Sequence, residues 1–215
     1  MLRLYRPTPR QIDRYLERQG RLDLSYAHVG ATRLGDEALA QTIGSDFVID
    51  RNRVRIGEGR ACFQQACAAL AAWRMFSVPG IRVCGAAGPL EVGRTVAVLT
   101  RALGLYTLNP CRILEVFDEP GPPGRFGFAY GTLPGHVACG EERFRVTLQA
   151  DEDVWYEICA FSRPSHAWLR LATPYFRHRQ RAFARGSLHA MSLAVAEGAR
   201  VSTHGRDDAS RHAES

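Results

Sequence analysis

Two glutamates and a histidine have the types and settings that acid–base chemistry needs. Over 138–148, strand alternation sets Glu142 beside Phe144, Val146 and Leu148, while Glu141 falls with Arg143, Arg145 and Thr147. Over 154–161, Glu157 shares a face with Trp155, Cys159 and Phe161, opposite Val154, Tyr156 and Ile158. Both of those faces are apolar, so alternation leaves the direction of Glu157 open. A carboxylate in an apolar setting either pairs with a cation or takes up a proton. Glu142 and Glu157 are therefore either arginine partners that hold strands in register or acids of raised pKa. His136 follows a Pro-Gly turn at a strand start. It could stand at a pocket mouth or serve as a solvated cap.

Around these groups lie side chains suited to holding an apolar molecule. Phe126, Phe128 and Tyr130 form one stripe along 125–133, and the Tyr130 hydroxyl could donate into a cavity. Trp155, Tyr156, His166 and Phe183 complete the candidate ligand contacts. Other motifs fail on context. Gly57-Glu58-Gly59 sits between a strand and a helix, but the third glycine and the acidic residue of a dinucleotide fingerprint are missing. Ser187 lies within a helical pattern and is no nucleophile elbow. No cysteine or histidine spacing suits zinc, and no cofactor motif occurs, so neither metal nor cofactor is expected.

The elements that must position these residues can be read from pattern. Thr8, Pro9 and Gln11 start a helix over 8–19 with a capping box, and residues 21–46 read as loop with one short turn. Residues 47–56 read as two short strands around a turn at 50–52, followed by a helix. Segments 81–85, 94–103, 111–117, 125–133, 136–149 and 153–162 read as antiparallel strands, divided by Gly- and Pro-rich turns. A last helix begins after Pro164 or at Pro174 and runs to about Glu197. Arg177, Arg181 and Arg185 repeat along one side of it, as a solvated face or a partner surface. The expected division is a helical extension over 1–23, one domain over 24–198 and a disordered polar tail over 199–215.

The chain has 215 residues, 46% of them hydrophobic, and its formal charge of +6 comes from arginine without any lysine. That length buries enough surface to fold without disulfide or metal. The six cysteines read as buried free thiols of a reducing cytosol, and no signal peptide or membrane-spanning run occurs. A cytoplasmic location follows as an expectation, with no stable membrane insertion. No nucleic-acid motif accompanies the basic charge, so no nucleic-acid partner is expected.

Three unusual segments carry a resemblance. GTLPGHVACGEERF at 131–144, VWYEICAFSRPSH at 154–166 and PYFRHRQRAFARGS at 174–187 resemble the family called domain of unknown function nineteen-ninety. Weaker echoes occur at 25–32, 53–60 and 69–73, and the likeness covers roughly 24–197. It implies an α+β helix-grip fold, a curved antiparallel sheet wrapped around a long C-terminal helix with an interior cavity. Lipid-transfer START domains, Bet v 1 allergens and polyketide cyclases share that fold. The expected function is binding of a hydrophobic or amphipathic small molecule in that cavity. The alternative is a cofactor-independent cyclase, dehydratase or hydrolase that uses Glu142 or Glu157 with His136 or Tyr130.

Overall fold

From Ile81 to Phe161 the turns are too short to admit crossover helices, so successive strands must pair antiparallel. The computed structural model describes residues 2–102, 104–121, 123–166 and 173–212. Its strands are β1 (Leu2–Arg3), β2 (Val48–Glu58), β3 (Ile81–Cys84), β4 (Thr95–Ala102), β5 (Leu105–Glu119), β6 (Gly124–Thr132), β7 (Ala138–Leu148) and β8 (Asp153–Pro164). They form one antiparallel, curved sheet in the order β2-β8-β7-β6-β5-β4-β3, with β1 beside β5. The link from β2 to β3 must travel from one sheet edge to the other. It carries α3 (Gly59–Ala71) across the inner face, where α4 (Thr173–His212) also lies.

Alternation explains the inner core. Phe128, Phe144, Val146, Tyr156 and Ile158 point inward and meet Leu70 of α3 and Met191 of α4. The outer face is covered too, by α1 (Pro9–Gln19) and α2 (Asp36–Ile43). Tyr15 and Leu16 of α1 pack on Ala97, Leu99 and Leu108. Leu39 and Ile43 of α2, with Tyr26 before it, pack on Cys159 and Phe161. The first residues are thus part of the sheet's outer layer. The capping box at Thr8 and Gln11 forms as its residue types require.

Several elements differ from expectation. Residues 48–58 are one continuous strand, because Asp50 and Asn52 each take a ladder position against β8 instead of turning. β5 begins at Leu105, using β4 as its template before it reaches β6. The short helix α2 was legible only as a turn, since eight residues show too few periods. α4 continues to His212, past the end expected near Glu197 and into the segment expected as a disordered tail. A formed helix adds residues at little cost, so a polar continuation can follow an anchored one. α4 is described from Thr173, beside the start expected at Pro174, whereas the alternative start after Pro164 falls partly on residues 167–172, outside the described residues. No described helix is long and apolar enough to cross a membrane, and all six cysteines are free thiols.

Candidate functional site

Glu141 and Glu142 are adjacent in β7, so the pleat sends them to opposite faces. Glu142 points inward. Reading the ladders across the sheet places Asp50, Ala160, Glu142, Tyr130 and Ile113 in one inward-facing row. The next row is apolar at its centre, with Ile158, Phe144 and Phe128, and has Asn52 at its β2 end. A band of polar groups therefore crosses an otherwise greasy interior. The Tyr130 hydroxyl donates to Glu142 Oε2 at 2.5 Å. At the β2 end of the row, Arg177 from α4 donates to Asp50 Oδ1 at 2.7 Å and to Gln180 Oε1 at 2.9 Å. Gln180 in turn donates to Ser162 Oγ at 2.9 Å. These bonds fasten the first turns of α4 to the sheet edge.

Between the two polar pairs stands Ala160, the smallest side chain of the row. Ala160 and Glu142 both retain accessible surface although they face inward. Burial raises the Glu142 pKa to about 7; the Tyr130 hydrogen bond opposes the rise and the Asp50 carboxylate adds to it. No arginine pairs with Glu142 among the described residues, so burial wins. Burial also holds the Tyr130 hydroxyl far above the usual phenol range, so Tyr130 stays a neutral phenol that can donate. The interior thus holds a carboxyl that exchanges its proton near neutrality, 2.5 Å from a neutral phenol.

The remaining candidates divide by face. Phe126, Phe128, Tyr130, Tyr156 and Phe183 belong to the inner core. Phe128 and Tyr156 are fully buried, and the Tyr156 hydroxyl pairs with Ser187 Oγ of α4 at 2.9 Å. Trp73 and Phe76, which were not among the expected ligand contacts, pack among them. The Trp73 ring lies 4.7 Å from Phe128, and the Phe76 ring lies 5.1 Å from Phe183. The aromatic stripe is therefore largely occupied by core packing. Their signal was present in the AAWRMF run at 71–76, which reads simply as the end of an apolar helix.

Glu157 and Trp155, whose direction alternation left open, face outward and lie away from the interior where they were candidate site residues. β8 alternates so that Tyr156 and Ile158 take the core. Glu157 pairs with Arg145 at 3.0 Å and Arg51 at 3.6 Å. Trp155 lies under the Arg53 guanidinium at 3.9 Å. His136 sits in the β6–β7 hairpin, where its Nδ1 accepts from the Ala138 N–H at 2.9 Å. Burial lowers its pKa to about 4, keeping it neutral, and no hydrogen bond joins it to Glu142. His166 is exposed. The arginine stripe is not uniform: Arg177 is engaged by Asp50, whereas Arg181 and Arg185 are exposed.

Glu141 has a role that its residue type alone did not reveal. It is 2% exposed and accepts from the Tyr26 hydroxyl at 2.8 Å, the Gly30 N–H at 2.7 Å and the Thr32 N–H at 3.1 Å, and also from the Thr32 hydroxyl. One carboxylate so clamps residues 26–32 to the outer face. Gly131 admits the Tyr26 ring, since a Cβ there would stand 2.3 Å from the Tyr26 hydroxyl. Beside this clamp, a cleft of about 180 Å³ is lined by Arg51, Arg143, Arg145 and Glu157 with residues 32–35. A wider outer depression of about 420 Å³ lies between His28, Phe47 and Arg163. Among the described residues no group of side chains could hold a metal ion.

The family model for the domain of unknown function DUF1990 matches residues 25–190. A UPF0548 protein of Deinococcus radiodurans is 38% identical, covering 91% of this chain and 98% of its own. A UPF0548 protein of Dictyostelium discoideum is 31% identical, covering 88% and 94%. Among solved structures, the di-domain ARO/CYC StfQ from the steffimycin biosynthetic pathway aligns with a TM-score of 0.50 at 14% identity, over 76% of this chain and 56% of StfQ. Ara h 8.0201 aligns at 0.44 and 11% identity, over 70% and 99%.

Proposed function

This chain belongs to the DUF1990 family, and from its helix-grip fold we propose that it binds a hydrophobic or amphipathic small molecule between the sheet and α4. The observation that carries this reading is Glu142, an inward carboxyl with one hydrogen bond and no counter-charge. A stable core would pair such a group or replace it with an apolar one. In this reading the ligand's polar end lies above Ala160, between the Glu142–Tyr130 pair and the Asp50–Arg177 pair. Its apolar part packs on Phe126 and Phe183, the partly buried members of the aromatic group. His136, Glu157, Trp155 and His166 have no part in it.

Filling the gap tests the reading. An Ala160→Leu variant should fold and lose at least about tenfold in affinity for a fluorescent amphiphile such as anilinonaphthalene sulfonate, because its added methyl groups occupy the ligand's space. Saturable one-to-one binding by the wild type is the companion expectation. Equal binding by both proteins would contradict the proposed location.

One observation favours a second reading, an acid–base enzyme at the same place. A carboxyl that titrates near pH 7 matches a general acid or base working at neutral pH. A carbonyl-rich substrate of a cyclase or dehydratase would present oxygens to Tyr130 and acidic C–H groups to Glu142. Turnover that disappears in Glu142→Gln while amphiphile binding persists would select this reading.

A further inference from the structure

The outer cleft is built from arginines brought together by strand register. Arg51 of β2 and Arg143 of β7 flank Cys159 of β8, and Arg145 lies beside Glu157 in the next row. Residues 32–35 form the wall, and Glu141 holds its start in place. Gly35, which caps α2 without a side-chain hydrogen bond, closes the rim. Like charges on neighbouring strands repel, so this grouping carries a cost unless anions occupy it.

The anions present do not balance it. Arg145 and Arg51 converge on the same oxygen of Glu157, Oε1. Arg51 also meets Asp36 at the rim, and Arg33 takes Glu115 at 3.0 Å. That leaves Arg143. Its nearest carboxylate is the already engaged Glu115, at 3.8 Å, and its guanidinium lies 4.4 Å from the Phe117 ring centre. Among the described residues Arg143 makes no hydrogen bond, and the Nε atoms of both Arg143 and Arg145 are buried without a partner. Four arginines thus face three carboxylates, and the surplus cation, Arg143, is the one without a hydrogen bond among the described residues. Burial lowers the Arg143 pKa; Glu115 opposes this, and the neighbouring Arg145 and Arg33 add to it.

We propose that this outer cleft is a second ligand site, which takes a compact soluble oxyanion of the phosphate-monoester class on Arg143, Arg145 and Arg51. Planar guanidinium forks suit phosphoryl oxygens, which accept paired N–H donors. A volume of about 180 Å³ admits a phosphoryl group with a few further atoms. Glu157 is the built-in competitor: it occupies donors that the ligand needs and repels its charge. The site lies across the sheet from Glu142 and stands independently of the interior reading.

Isothermal titration calorimetry at low ionic strength, with inorganic phosphate and glycerol 3-phosphate, tests the proposal. The wild type should bind saturably at one site. Arg143→Gln should weaken binding about tenfold or more, and Glu157→Gln should strengthen it several-fold. The second variant keeps the test decisive if the first fails to fold, since a purely structural Glu157 would give no gain. Absence of saturable binding by the wild type, or equal affinity in the wild type and Glu157→Gln, would overturn the proposal.

Discussion

Glu141 and Glu142 differ in fate because one step along a strand reverses the face. Glu142 is taken from water without a counter-charge, so its ionised form is disfavoured in the folded state. Its pKa moves from the reference 4.5 to about 7. Below the unfolded value the group is protonated in both states and imposes no cost. As pH rises toward about 7 the unfolded chain ionises first, so stability is lost over that window. The full displacement corresponds to about 3 kcal/mol at most. Glu142→Gln should therefore be more stable than wild type at pH 8, by about 1–3 kcal/mol, with the difference shrinking near pH 4. Urea midpoints at the two pH values would show this. Lower stability of the variant at pH 8 would mean that Glu142 holds the fold together. Glu141→Ala has the opposite sign. It strands four donors from residues 26–32 and should cost about 3–5 kcal/mol, with faster proteolysis of that segment. Alternation alone separated the two glutamates correctly. It could not supply the partners, because Tyr26 and Thr32 lie more than a hundred positions away and follow no period.

At the scale of elements, β7 and β8 set the register on which both faces depend. Gly140 begins the inward row of β7 at φ 153°, and a Cβ there would stand 1.9 Å from the Phe161 carbonyl oxygen. Gly140→Ala should cost about 3 kcal/mol or more and broaden backbone resonances of β7 and β8 together. An unchanged melting midpoint would show that the ladder can give way locally. Element order and most strand positions were legible, since turn chemistry marks them and alternation recurs between the marks. The inward direction of Glu157 was open because β8 is apolar on both faces. The structure gives the reason: Cys159 and Phe161 are covered by α2 and Tyr26 on the outside, while Tyr156 and Ile158 fill the core. A strand buried on both sides loses the polar–apolar signal that reveals its facing. β2 misled for a related reason, because Asp50 and Asn52 have turn-forming side chains that here serve an inward row and a ladder.

The whole molecule is a three-layer arrangement with one functional candidate on each side of the sheet. Inside, α3 and α4 close over an aromatic core crossed by one polar row. Outside, α1, α2 and the 26–32 segment cover most of the remaining face and leave an arginine-lined cleft. The family likeness and the strand pattern pointed to the inner layer. The outer layer was hidden, because the residues that form it are mostly loop and two short helices. Trp73 and Phe76 explain why an aromatic stripe alone overstated the open interior: core packing and ligand lining draw on the same residue types. In the inward row a small side chain, Ala160, stands between the larger Asp50 and Glu142.

Native mass spectrometry of the purified protein, with denaturation to identify what is released, tests the interior site most directly. The expected result is a one-to-one complex with a hydrophobic or amphipathic small molecule, present in the wild type or formed on adding an amphiphile, and lost from Ala160→Leu. A wild-type protein that holds and accepts no such molecule would contradict the account, and would make Glu142 a buried acid without a ligand.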